Sequence, residues 1–370
     1  MFLDKIELIN FRLHKRSNIK FSEKLNYIVG GNGQGKTTIL EGIYYLCTTK
    51  NLSQASESDA VMFGENYFEI SGAFKDLTEN KLKINYSLET NKKYLYLDSK
   101  QFYRAASVIG KFPVVTLTQS DHAITHGPPS ERRKFIDSVI AQSSEVYLRT
   151  LIEYNKTLRQ RSSLLSQIKE TRNNNLFEQL DAWTESLIQS GSELVKRRIK
   201  FIHRFNEYIR GSYFKVMENI EIPQIEYAFM DEDNPDLVED VFRQSLNELR
   251  EMELRRATNL VGPHRDDFIF RINERELKKF GSQGQHKTFQ IALRFGEFFF
   301  LKEELNKTPI FLMDDVFGEL DTYRASKISE YLKEVGQAFI TITDFSNLEY
   351  LHRSEDDVKL IVEEGSVRHD

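Results

Sequence analysis

Gly30-Gly31-Asn32-Gly33-Gln34-Gly35-Lys36-Thr37 reads G-x-x-x-x-G-K-T, the pattern of a phosphate-binding loop. Before it, Leu25-Asn26-Tyr27-Ile28-Val29 is a short apolar run rich in strand formers. After it, Thr38-Ile39-Leu40-Glu41-Gly42-Ile43-Tyr44-Tyr45-Leu46 repeats its apolar residues at helical spacing. Strand, loop and helix in that order set the stretch apart from an ordinary glycine-rich turn. A phosphate chain needs several backbone N–H groups aimed at one point, and glycine lets the backbone wrap closely enough to supply them. The helix adds unpaired N–H groups and a partial positive charge. On this reading Gly30 to Thr38 (Gly30, Gly31, Asn32, Gly33, Gln34, Gly35, Lys36, Thr37 and Thr38) cradle ATP. Lys36 reaches the β and γ phosphates and assists catalysis, and the Thr37 hydroxyl holds Mg2+.

The chain has 370 residues, more than one ordinary domain, and room for a large core with an insertion. It is 40% hydrophobic and 29% charged, within the range of soluble globular proteins. No apolar run is long enough to span a bilayer, and the start of the chain lacks a signal-peptide pattern. The single cysteine, Cys47, lies on the apolar face of the helix after the loop and excludes an internal disulfide framework. Together these features predict a reducing, cytoplasmic setting. The net charge of −5 does not advertise a nucleic-acid binder, so any DNA contact has to come from a local basic surface.

Phe2 to Phe11 and Asn18 to Phe21 are predicted strands that precede the phosphate loop. Leu52 to Asp59 is a polar loop. Tyr67–Phe74, Leu82–Leu88 and Tyr94–Leu97 follow as β-like runs separated by short polar turns, which predicts an antiparallel meander. Val114-Val115-Thr116-Leu117 reads as a buried strand. Gln119 just after it is either a sensor of the metal or of the attacking water, or a polar loop residue. Gly127-Pro128-Pro129 breaks the chain, and Ser130 is placed to cap the next helix. From there to Arg256 glycine is scarce and apolar residues recur at helical spacing. Leu151, Tyr154, Leu158 and Leu165 form one stripe; Leu176, Leu180, Trp183 or Leu187, Leu194 and Ile202 form another, with Asn173-Asn174-Asn175 as the turn between. This predicts a helical insertion with at least two long antiparallel helices. Lys196, Arg197, Arg198, Lys200 and Arg204 make the densest basic stretch, either a DNA-contacting helix face or a solvated one.

Glycine, proline and charge return at Val261-Gly262-Pro263-His264-Arg265-Asp266-Asp267, and Phe268–Ile272 is a predicted strand. Ser282-Gln283-Gly284-Gln285 precedes an apolar helix and makes a second anion-binding N-terminus. That is redundant for one nucleotide, and makes sense if it caps the γ-phosphate of ATP held by another subunit. Pro309 to Asp315 is an apolar strand ending in two carboxylates, the Walker-B pattern, with Asp314 a ligand of Mg2+ and Asp315 placed to orient or deprotonate the attacking water. Gln337–Thr343 is a further strand, and Thr343-Asp344 at its end is a place for a γ-phosphate sensor.

This order of motifs resembles the ABC-type ATPases of the chromosome-maintenance and double-strand-break-repair group, and more narrowly the RecF family of bacterial recombination mediators. The resemblance runs nearly end to end. It is carried by Phe11-Arg12, the phosphate loop with Leu40-Glu41, Pro128 with Arg132-Arg133 and Asp137, the Gly-Pro-His-Arg-Asp-Asp run, Ser282 to Gln285, and Asp314-Asp315-Val316 with Glu319-Leu320-Asp321. It implies an α/β fold: an ABC-type P-loop ATPase head with an antiparallel β-meander, formed by residues 1–135 and 257–370, and a helical lobe inserted at residues 136–256. It also implies an ATP-dependent homodimer, weak ATP hydrolysis with Mg2+, and binding to single- and double-stranded DNA. RecR would be a partner, with RecO and RecA in the same pathway. Three departures stand out: Gln119-Ser120-Asp121 where the family usually has Pro-Glu-Asp, Thr49 to Ser53 where an arginine-bearing segment is expected, and His286-Lys287 for Gln-Arg. The competing reading is a related ATPase switch that regulates a partner nuclease or a defence system.

Overall fold

The computed structural model describes residues 1–53, 55–171, 173, 175–217, 221–343 and 354–370. The chain forms two compact units. Met1–Asp121, Ser212–Asn219 and Ile291–Asp370 make the first, and His122–Gly211 with Ile220–Gln290 make the second. The second unit therefore takes in residues 122–135 and 257–290, which the sequence division gave to the head. Pairing explains this: the strand Pro223–Glu226 runs antiparallel to Ile269–Ile272, and Arg132 donates to Asp267 at 2.7 Å.

The first unit contains two six-stranded sheets. One is the expected meander. Its strands lie in the order His14–Lys20, Phe2–Phe11, Tyr67–Lys75, Glu79–Ser87, Lys92–Leu97 and Lys100–Phe102, with every neighbouring pair antiparallel. The second strand of the chain spans His14–Lys20 rather than Asn18–Phe21, because it pairs with the first strand from Lys5 to Phe11. The other sheet has the order Ser366–His369, Val358–Glu363, Leu25–Val29, Ala338–Ile342, Ile310–Asp314, Val114–Thr118. All its neighbours are parallel except the hairpin at residues 358–369. Its central strands are mostly apolar, as expected of strands covered on both faces; Ile310, Phe311, Leu312 and Met313 are all fully buried.

One core joins the meander (Ile6, Leu8, Phe68, Ile84), the helix Lys36–Thr48 (Ile43, Leu46) and the parallel sheet (Leu312, Phe339). Cys47 lies within it, and burial pushes its thiol pKa far up, so it acts as an inert apolar group. The buried Gln337 amide clasps the edge of this core. Its Oε1 accepts the Leu3 N–H at 2.7 Å, and its Nε2 donates to the carbonyls of Leu3 and Ser22.

The second unit is built on the helices Pro129–Ser143, Glu145–Thr171, Val238–Arg256 and the part of Asn175–Met217 up to Gly211. Both apolar stripes are realised: Tyr154, Leu165, Leu180, Leu187, Leu194 and Ile202 are buried, while Trp183 packs half-buried against the cluster of Leu164, Leu165, Ile168 and Leu180. Asn174 of the expected turn lies outside the described residues. Ser130 does not cap its helix. The helix starts two residues earlier than such a cap requires, at Pro129, with Pro128 at the N-cap and no side-chain cap; the fixed φ of proline at the first helical position sets that start. Among the described residues no helix is long and apolar enough to cross a membrane.

Candidate functional site

The loop from Gly30 to Thr37 leaves the Leu25–Val29 strand and enters the helix at Lys36. Gly35, at the N-cap, has φ 104°, a conformation that L side chains rarely adopt, and no side chain caps the helix. The first N–H groups therefore stay available to an anion. A Cβ at Gly30 would sit 2.3 Å from the Val362 carbonyl oxygen, so the loop's close approach to the neighbouring strand requires glycine there. The Lys36 side chain folds back over the loop, and its Nζ donates to the carbonyls of Gly30 at 2.6 Å and Gly31 at 2.9 Å. Burial lowers its pKa, opposed by the nearby Asp315 and Asp314 carboxylates.

Parallel pairing brings the acidic strand to the loop. The Thr37 hydroxyl donates to Asp314 at 2.9 Å. On the other side Thr341 donates to Asp314 Oδ1 at 2.7 Å and accepts the Asp315 N–H at 2.9 Å. Asp314 is thus held between two hydroxyls on two neighbouring elements. Asp315 lies just past the strand end in the left-handed region, φ 51°, so its side chain leaves the strand's alternation. Thr341 escaped the sequence reading, which looked two residues further, to Thr343-Asp344; Asp344 lies outside the described residues.

The donor set fits Mg2+, a hard cation that takes oxygen ligands and keeps several from water or phosphate. The Thr37 hydroxyl and the Asp314 carboxylate are such ligands. Among the described residues there is no cluster of three or more His, Cys, Asp or Glu that could hold a metal. A site completed by phosphate oxygens needs none.

Gln119 is exposed at the start of a short 3-10 turn, Gln119–Asp121. The strand before it pairs Thr118 with Asp314, so Gln119 follows directly beyond the acidic strand's neighbour. Its local anchor is Asp121, which accepts the Thr118 N–H at 3.1 Å and receives Arg294 at 2.5 Å. Arg294 also pairs with Glu297 at 2.7 Å; burial pushes the Glu297 carboxyl up to about 7, with Arg294 opposing. Asp121 and Arg294 lie far apart in sequence, and no local pattern announced the pair. The quoted pieces Phe11-Arg12 and Leu40-Glu41 prove to be partners: Arg12 and Glu41 form an ion pair at 2.5 Å. Arg12 also donates to Ser53 at 2.8 Å, inside the segment that departs from the family pattern.

In the second unit, Ser282 to Gln285 form a reciprocal cap. The Ser282 N–H donates to Gln285 Oε1 at 2.9 Å, and the Gln285 N–H donates to Ser282 Oγ at 3.2 Å. They open the helix Gln283–Leu305. Ser282 and Gln283 are exposed, and Gly284 is half-buried. The basic stretch divides. Lys200 is exposed, Lys196, Arg197 and Arg204 are half-buried, and Arg197 pairs with Glu193 one turn away. Arg198 is not on that face. It is buried, donates to both Asp137 oxygens at 2.9 Å and to the Pro263 carbonyl at 2.8 Å, and holds the Gly-Pro-His-Arg-Asp-Asp run from inside.

The family described as RecF/RecN/SMC N terminal domain matches residues 2–366. A protein of Chloroherpeton thalassium named DNA replication and repair protein RecF is 37% identical over 352 residues, 93% of this chain and 95% of its own length.

The chain belongs to the RecF family.

A RecF of Salinibacter ruber is 35% identical over 93% of this chain and 85% of its own length. A solved structure of the recombination mediator protein RecF-ATPrS in the RecFOR pathway covers 100% of this chain and 98% of its own, at 29% identity and TM-score 0.90. An Smc head domain derived from Pyrococcus furiosus shares the fold alone, with 14% identity and TM-score 0.58. This RecF-family chain therefore has the ABC-type ATPase fold, with the antiparallel meander and a helical insertion.

Proposed function

We propose that this chain is an ATP-dependent, DNA-binding recombination mediator of replication and repair. It works as an ATP-gated homodimer with weak ATPase activity, helping to load the recombinase RecA at single-strand gaps together with RecO and RecR. The observation that carries the reading is Asp314, fixed between the Thr37 and Thr341 hydroxyls beside an open helix N-terminus. The likeness to the solved recombination mediator protein RecF-ATPrS supports nucleotide binding.

Gly30 to Thr38 wrap the phosphates, Lys36 neutralises the β and γ oxygens, and Thr37 and Asp314 hold Mg2+. The metal supplies charge neutralisation on the phosphates when bound. Asp315 orients the attacking water. It is one methylene shorter than glutamate, which holds that water poorly and makes turnover slow, as suits a switch. Gln119 is the candidate sensor of the water or the metal. Ser282, Gln283, Gly284 and Gln285 of a second copy cap the γ-phosphate, with the Ser282 hydroxyl donating to a phosphate oxygen while it accepts the Gln285 N–H. Lys196, Arg197, Lys200 and Arg204 are the DNA-facing candidates, without the buried Arg198. The single buried cysteine fits a cytoplasmic setting.

Light scattering with and without ATP and Mg2+ tests the clamp. ATP converts monomer to dimer, Asp315→Asn traps that dimer, and Ser282→Arg still binds ATP but stays monomeric. A Ser282→Arg variant that dimerises normally with ATP overturns the composite site.

A further inference from the structure

Behind the phosphate loop, on the side of Gly35 that carries its carbonyl, stands a buried histidine. His14 is fully buried at the start of the second strand. Its Nε2 lies 3.1 Å from the Gly35 carbonyl oxygen. Its Nδ1 lies 2.8 Å from the Ser17 hydroxyl, which in turn donates to the Gly365 carbonyl at 3.2 Å. Gly365 is the turn of the hairpin that also holds the loop's Gln34: the Gly365 N–H donates to the Gln34 carbonyl at 3.0 Å, and the Glu364 N–H to its side-chain oxygen at 2.6 Å. The fit leaves no slack. A Cβ on Gly35 would sit 3.0 Å from His14 Nε2, and one on Gly365 would sit 2.3 Å from the Leu13 carbonyl.

We propose that His14 is a positioning residue for nucleotide binding, joining the Gly35 carbonyl through Ser17 to the Gly365 hairpin, and that its protonation completes this bridge and tightens the loop's hold on phosphate.

The neutral bridge is one hydrogen short. Three contacts run from Gly35 to Gly365, and each needs one. A neutral imidazole carries one N–H and Ser17 one O–H, so two of the three are made. The imidazolium carries two N–H groups, and then all three are made: Nε2–H to Gly35, Nδ1–H to Ser17, and Ser17 O–H to Gly365. The same proton places a positive charge 3.1 Å from the carbonyl of a phosphate-loop residue, Gly35. Burial lowers the His14 pKa, and the Gly35 and Gly365 carbonyls oppose that. The charged groups on the surrounding elements are Lys36, turned to the Gly30 and Gly31 carbonyls; Glu363, paired with Arg368, and Glu364 on the hairpin; and Lys15 and Arg16 on its own strand, exposed, with Arg16 paired to Glu7. None of these is among the influences that shift it. His14 is therefore neutral near pH 7 and gains its proton on acidification below the ordinary value near 6.5. Bound phosphate favours that proton.

This inference rests on the reading that Gly30 to Thr38 take nucleotide. Its test is the full chain titrated with ADP and Mg2+ by calorimetry from pH 8 to pH 5.5, with the His14 ring followed by NMR and assigned from a His14→Gln variant. Glutamine keeps a donor for Gly35 and does not titrate. Nucleotide is expected to raise the His14 pKa by about half a unit, which is about threefold in affinity between its neutral and protonated forms. His14→Gln and Ser17→Ala should lose that component. The phosphate's own titration is common to all three proteins and cancels. A His14 pKa unmoved by nucleotide, or pH profiles that run parallel in wild type and both variants, overturns the inference. Absence of nucleotide binding at every pH in the wild type instead fails the reading on which it rests.

Discussion

The phosphate loop of the first unit and the Gly-Pro-His-Arg-Asp-Asp run of the second are the chain's two most motif-rich stretches, and they use polar groups in opposite ways. Around the loop, Asp314 accepts from two hydroxyls, the helix N-terminus has no side-chain cap, and Lys36 rests on carbonyls. These contacts can be exchanged for a ligand. In the other run the charges satisfy one another. Arg198 meets Asp137 and lies 3.6 Å from Asp266, and Asp266 accepts the Tyr227 hydroxyl at 2.6 Å. Arg132 takes Asp267, and the Tyr154 hydroxyl lies 2.7 Å from His264 Nδ1. Arg161 and Glu253 form a further buried pair at 2.6 Å. A signature can thus mark a site or a clasp, and what separates the two is whether its charges have protein partners or exchangeable ones.

The largest effect should come from cutting the clasp. Arg198→Met leaves Asp137 and Asp266 buried without their cation, and is expected to lower unfolding free energy by about 3–5 kcal/mol. A shift of the urea midpoint measures it; a midpoint within error of the wild type would break the contrast. Next comes Lys36→Ala. It should reduce ATP affinity roughly 100-fold, equivalent to ~3 kcal/mol, while leaving the urea midpoint almost unmoved. Calorimetry and urea unfolding on the same sample separate the two outcomes, and a variant that loses both together would show that the loop also carries the fold.

A smaller effect follows from His264, whose pKa burial pushes down to about 4, helped by Arg265, Arg133 and Arg161. The unfolded chain takes up this proton near pH 6.5 and the folded chain only near pH 4, so between them the unfolded state binds more protons and stability falls as pH falls. The loss should reach on the order of 2 kcal/mol by pH 4. Thermal unfolding of His264→Asn against wild type should show a flatter acid limb, and equal limbs would remove His264 from the clasp's pH dependence.

The legible parts of this molecule are those written in neighbouring residues. The apolar run ending in Asp314-Asp315 announced the strand Ile310–Asp314, and the alternating runs between Tyr67 and Leu97 announced the meander. Ser282 and Gln285 were read as an anion site; that they cap their own helix also follows from their three-residue spacing, once it is considered. What stayed hidden depends on partners far along the chain. Arg198 looked like one more charge on a basic helix until Asp137 and Pro263 closed over it. Thr341, Asp121 with Arg294, and His14 act through contacts of sequence separation 27, 173 and 21. Periodicity reports which face of an element is buried and does not report which element covers it.

The order of strands in the parallel sheet has a consequence for how the protein is made. The phosphate-loop strand, Leu25–Val29, lies between Ala338–Ile342 and Val358–Glu363, so both of its hydrogen-bonding neighbours come from the far end of the chain. On the ribosome this strand emerges early and waits, with two open edges and an apolar sequence, while some three hundred residues are added. Long-range pairing of this kind is slow and leaves edges exposed to wrong partners. The first strands are therefore open to wrong partners during synthesis, and the phosphate loop, though encoded in the first tenth of the sequence, is among the last parts of the molecule to gain its neighbours.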